Sequence, residues 1–173
     1  MVMIIICNEG LLCYIITMDL KYHDLPFGAQ LLLWTSRVFI HGSCRTRPSK
    51  YDLIDIAYSK VGIDSGASLL QQYLYLLRIE SKLQLQPICI QNLSDQEIIL
   101  INCIEEHKKN NFDNDYYIRF WSLHNSEKLF TESAKNLALA FKKANLDTNL
   151  EIVNETTTTT NRVVSNYFYK TLH

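Results

Sequence analysis

The stretch DLIDIAYSKVGIDSGASLLQQYL, residues 52–74, decides the fold class. A helix-like run, a glycine turn and a second helix-like run follow one another in it. Ser49 stands as an N-cap three residues before Asp52, and Gly62 closes a helix over 50–61. The next helix, over 65–83, carries Leu69, Leu70, Tyr73, Leu74, Leu76, Leu77 and Ile79. Its polar residues form a narrow stripe through Ser68, Gln71, Gln72, Arg78 and Lys82.

Outward from this pair the pattern stays helical. The run over 27–40 is apolar almost all round, with Leu31, Leu32, Leu33, Trp34, Val38 and Phe39, and Gly42 ends it. Such a helix is a buried one. A basic loop, GSCRTRPS, joins it to the next helix. LQLQPICIQ, 83–91, alternates apolar and polar residues around Pro87 and reads as an extended connection or short edge strand. SDQE, 94–97, matches a capping box, in which serine and glutamate satisfy each other's backbone donors. It opens a helix to about Lys109, which the turn-formers NNFDND end. After the aromatic piece YYIRFWSLH, a last helix over 126–144 repeats Leu129, Phe130, Ala134, Leu137, Ala138 and Phe141 at helical spacing.

The ends of the chain differ in composition. MVMIIICNEGLLCYIIT, residues 1–17, has no Lys or Arg and is broken by Asn8-Glu9-Gly10, so it suits neither a secretory signal nor a membrane span. It reads as a hairpin around NEG or as the product of an upstream start codon, since MDLKYHDLPF from Met18 has the look of a soluble N-terminus. At the other end ETTTTTN is low-complexity. VVSNYFYKTLH, after it, returns as a strand or stays a tail. The expected architecture is mainly α, a compact bundle of about five helices with a possible short N-terminal hairpin and an irregular C-terminal tail. The expected division is an uncertain extension or hairpin over 1–17, a helical domain over 18–146, and a Thr-rich linker and tail over 147–173.

The 173 residues suit one core, and 47% hydrophobic with 20% charged residues marks a globular chain. A net charge of -1 exerts no global pull toward nucleic acid or an anionic membrane. Cys7, Cys13, Cys44, Cys89 and Cys103 are odd in number, irregularly spaced and without a CxxC. They point to free, mostly buried thiols in a reducing cytoplasm.

Residues 52–74 also raise the question of a DNA reader. Through Ala57, Gly62 and Ile63 the stretch resembles the helix-turn-helix family, with a spacing one residue longer than the family's. The resemblance implies a recognition helix presenting Ser68, Gln71 and Gln72, with Arg37, Arg45, Arg47 and Lys50 on phosphates. The plainer reading leaves those cations as solvated charges. His41 and Cys44, with Cys103 and His107, make up a four-ligand set for a metal if the pairs converge; otherwise Cys103 is core and His107 surface. No metal or cofactor is expected. The chain has no GxSxG, phosphate-cradling glycine loop or HExxH, and Glu105-Glu106-His107 reads as a polar helix face. Asp113 and Asp115 lack calcium-loop spacing and belong to a turn.

Aromatics remain. Ten tyrosines, seven phenylalanines and two tryptophans supply anchors, and YYIRFW places Tyr116, Tyr117, Arg119 and Trp121 within six residues. Aromatics with Arg are the common hot-spot chemistry of protein interfaces. Core packing between helices is their other use. The sequence leads us to expect a non-enzymatic, intracellular helical adaptor or regulatory module whose partner is another protein. The alternative is a DNA-binding regulator using a degenerate helix-turn-helix over 50–83.

Overall fold

The computed structural model describes residues 2–6, 14–18, 20–42, 49–110, 114–123 and 125–150 of the chain. Strands β1, Val2–Ile6, and β2, Tyr14–Met18, pair antiparallel with Ile4 opposite Ile16. The NEG turn lies outside the described residues. Six α-helices follow: α1 Phe27–His41, α2 Lys50–Ser59, α3 Gly66–Glu80, α4 Asp95–Lys109, α5 Asn114–Trp121 and α6 Glu127–Lys143. The molecule is therefore mainly α. The helix beyond the expected five is α5, formed by the aromatic piece.

Local chemistry accounts for the boundaries. Ser49 accepts from the Asp52 N–H while Asp52 accepts from the Ser49 N–H, and Ser94 with Glu97 repeats the arrangement. Both are capping boxes. Just past each helix sits a residue with positive φ: Gly42, Gly62, Lys82, Asn110, Ser122 and Asn145. After Gly62, Ser122 and Asn145 comes a buried apolar residue, Ile63, Leu123 or Leu146. Its N–H returns to the carbonyl five residues earlier, as in a Schellman motif.

The core forms around α1, buried along most of its length. Thr35 and Ser36, polar but buried there, donate to the Leu31 and Leu32 carbonyls, and the Thr35 hydroxyl meets the Tyr58 hydroxyl at 3.1 Å. Tyr73 of α3 stacks on Phe130 near the start of α6, and Tyr58 of α2 meets Phe141 near its end, so α6 runs back along α3. Helices α2 and α3 approach closely because residue 66 is glycine. A Cβ there would lie 2.3 Å from the Tyr58 ring.

Residues 146–150 pack onto this body, with Leu146, Thr148 and Leu150 buried. Helix α1 has no side-chain N-cap, and its Ala29 N–H donates instead to the Asp147 carbonyl at 3.1 Å. Lys108 holds the same segment through the Leu146 carbonyl and Thr148. Two expectations change on contact with the fold. Leu129, counted with the apolar face of α6, is exposed, and α3 buries only Gly66, Leu70, Tyr73, Leu74 and Leu77.

Candidate functional site

Of the four basic candidates, Arg37 and Lys50 are described, and both are engaged within the chain. Arg37 is 1% exposed, and its guanidinium grips Glu97 with two bonds, Nε to Oε1 at 2.8 Å and Nη2 to Oε2 at 2.9 Å. Nη1 also donates to the Ile90 carbonyl at 2.6 Å. Glu97 meanwhile accepts from the backbone N–H groups of Gln86 and Ser94. Arg37 is thus a core residue that fixes the connection between α3 and α4, correcting its reading as a phosphate ligand. Its position on an apolar helix, one turn from Leu33, was the signal for burial.

Lys50 is also engaged within the chain. Its ammonium donates to the Phe39 carbonyl at 3.0 Å and lies 5.2 Å from the centroids of both the Phe39 and Tyr51 rings. A cation at the last turn of α1 is favoured by the helix dipole and by the two ring faces. Arg45 and Arg47 lie outside the described residues.

On α3, Ser68, Gln71, Gln72 and Arg78 are exposed. The outward face is wider than the expected stripe and carries Tyr75 at 56% and Ile79 at 59% exposure, one turn apart. It is polar in its first half and partly apolar in its second. That mixed face, missed in the sequence, arises because Tyr75 and Ile79 lie on the side of α3 away from buried Leu70, Tyr73, Leu74 and Leu77.

Of the four candidate metal ligands, His41, Cys103 and His107 are among the described residues and form no common cluster there. His41 meets the Leu85 carbonyl through its ring nitrogen at 2.8 Å, and Cys44 lies outside the described residues. Burial pushes the Cys103 thiol up to about 12, although a bond with Tyr73 works against it. His107 is half-buried, and desolvation together with the Lys135 charge pushes its imidazole down to about 4. Among the described residues no three His, Cys, Asp or Glu side chains cluster as a metal site would require. Nor is Glu105 part of a solvated face, since it is buried against Thr148 and Lys108.

Helix α5 divides the aromatic candidates between two environments. Tyr117, Ile118 and Trp121 are buried, whereas Tyr116, Arg119 and Phe120 face outward. Tyr116 is 49% and Phe120 40% exposed, and their rings stack with centroids 6.3 Å apart and an interplanar angle of 26°. Edge contacts of Tyr116 with Tyr117 and of Phe120 with Trp121 support the pair from below, at 5.1 and 4.7 Å. The two exposed rings are thereby braced by the buried rings beside them. Burial and the nearby Glu106 charge push the Tyr116 phenol above its ordinary value, so it remains a neutral donor at pH 7. Phe120 is the member of this surface that the sequence candidates omitted. Helical spacing from Tyr116 would have found it had 116–121 been read as a helix.

No helix among the described residues is long and apolar enough to cross a membrane. No family model matches the chain, and neither a curated protein nor a solved structure matches it.

Proposed function

We propose that the protein is a non-enzymatic adaptor or regulatory module that binds another protein through the outer face of α5. The observation that carries this reading is the exposed Tyr116–Phe120 stack with Arg119 beside it. Preordered aromatic rings lose little side-chain entropy on binding, and an exposed guanidinium adds directional donors. The fitting partner offers an apolar groove for the two rings and a carboxylate at its rim for Arg119. A reducing cytoplasm is the setting we assign, because the five cysteines lack a disulfide framework.

DNA binding is the second reading, supported by the exposed Ser68, Gln71, Gln72 and Arg78 of α3. Tyr75 and Ile79 on the same face, and the internal engagement of Arg37 and Lys50, favour the protein partner.

A photo-crosslinking amino acid at position 120, in cells that make the protein, tests the reading. A discrete protein adduct is expected there, and Arg119→Glu should diminish it. The same amino acid at exposed Glu132 on α6 is the control. Matching adduct patterns from positions 120 and 132, or no adduct at 120, would exclude α5 as the docking face.

A further inference from the structure

The segment that follows α6 lies in a groove built from two helix ends. Its alternate residues Leu146, Thr148 and Leu150 are buried, while Asp147 is exposed and Asn149 half-buried. A period of two belongs to a chain that presents every second side chain to one surface. Main-chain groups are held as well. The Leu146 carbonyl accepts from the Lys108 ammonium of α4 at 2.8 Å, and the Asp147 carbonyl accepts from the Ala29 N–H of α1 at 3.1 Å. Thr148 is bound twice, donating its hydroxyl proton to Glu105 at 2.5 Å and accepting from Lys108 at 3.1 Å.

The groove is shaped for a chain passing through it. Residue 28, in the first turn of α1, is glycine, and a Cβ there would collide with the Asp147 carbonyl. Because α1 has no side-chain N-cap, its Ala29 N–H is free to take a carbonyl from outside the helix. One turn apart in α4, Glu105 and Lys108 pair at 2.8 Å and offer an acceptor and a donor side by side. Main-chain bonds to a passing segment, with pockets for its alternate side chains, are the means by which proteins dock extended peptides. The closest helix pairs, α4 with α6, α3 with α6, α1 with α2 and α2 with α3, meet one another directly, whereas the segment touches the first turn of α1 and the last turns of α4.

We infer that this groove is a peptide-docking site, occupied by residues 146–150 of the chain itself and open to exchange with a Leu-x-Thr-x-Leu segment of a partner protein. The resident segment is a built-in competitor, because its tether gives it a high effective concentration at the groove. A partner gains the site only by displacing it. Among the described residues no part of α5 enters these contacts, so the inference is independent of the docking reading.

Fluorescence anisotropy of a fluorescein-labelled peptide of residues 144–150, titrated with the full chain, tests the site. Leu146→Ser together with Leu150→Ser in the protein weakens the resident segment and leaves the groove residues unchanged. The peptide should bind that variant at least roughly tenfold more tightly than wild type, the difference being the tethered competitor. The same two substitutions made in the peptide, with the protein variant untouched, should abolish binding. With a photoreactive residue in place of Asp147 in the peptide, adducts on the variant should map within one turn of Gly28. Equal binding to both proteins, no binding to the variant, binding by the substituted peptide, or adducts elsewhere would each overturn the site. Loss of the far-UV helical signal in the protein variant would overturn it too, because an exchangeable occupant leaves the helices folded.

Discussion

Arg37 donates four hydrogen bonds from within α1, two to Glu97 and two to backbone carbonyls of the connection between α3 and α4. Every oxygen of Glu97 is occupied in turn, by the guanidinium and by the Gln86 and Ser94 N–H groups. Removing one partner of a buried ion pair strands the other, at a cost of about 3–5 kcal/mol. Arg37→Met should therefore lower the urea-unfolding free energy by that amount. A loss below about 1 kcal/mol would mean that solvent reaches Glu97 and that the pair is not part of the core.

Two titrating residues act on stability in acid, over different windows. The His107 imidazole is pushed down to about 4 by burial, with help from Lys135, against an ordinary 6.5. Between those values the unfolded chain binds a proton that the folded chain refuses, so stability falls as the pH is lowered through the window. Burial of Glu105 raises its pKa, but the Lys108 and Thr148 hydrogen bonds and the Lys108 and Lys109 charges outweigh that and leave it below 4.5. Its contribution is present above 4.5 and is lost as the pH drops through the lowered folded value. Denaturation midpoints against pH should show both. His107→Asn should flatten the profile from pH 6.5 to 4, and Glu105→Gln should flatten it only below 4.5. A His107→Asn profile identical to wild type would show that the ring is solvated in the folded state.

At the scale of the element, the helix starts were legible because a capping box is a local device. Ser49 with Asp52 and Ser94 with Glu97 need only neighbours in the chain. The stops were half legible. Gly42, Gly62, Asn110 and Asn145 are residue types that favour a left-handed cap, whereas Lys82 and Ser122 take the same backbone without that signal. Gly66 is a different case, required by Tyr58 rather than by its own φ. Gly66→Ala should cost roughly 1–3 kcal/mol, because a methyl 2.3 Å from a fully buried ring must push α2 and α3 apart. A thermal midpoint unchanged in the alanine variant would show that the two helices can slide without loss.

For the molecule as a whole, the contest is between a groove reader and a protein-docking surface. Duplex binding at physiological salt should be no tighter than about 10⁻⁵ M, the non-specific range. The internal engagement of Arg37 and Lys50 removes two cations from any phosphate contact, and Tyr75 with Ile79 interrupts the polar face of α3. Fluorescence anisotropy with random duplex DNA over a salt series would measure it. A nanomolar complex that discriminates between sequences, and weakens when Gln71 or Gln72 becomes Ala, would make DNA the partner.

The sequence by itself determined the class of fold and most helix limits, since hydrophobic period, caps and glycines act over a few residues and need no distant partner. It also placed the aromatic stretch that became α5. Tertiary structure alone decided which side of each element faces inward. Arg37 and Lys50 look alike in the sequence as cations beside a basic loop, yet one lies in the core and the other against two rings. Tyr116 and Tyr117 are adjacent and chemically identical, and a 100° turn of the helix sends one to solvent and the other into the core. The physical reason is that burial and ion pairing depend on residues 60 positions away, as Glu97 is from Arg37, and local patterns carry no record of that distance.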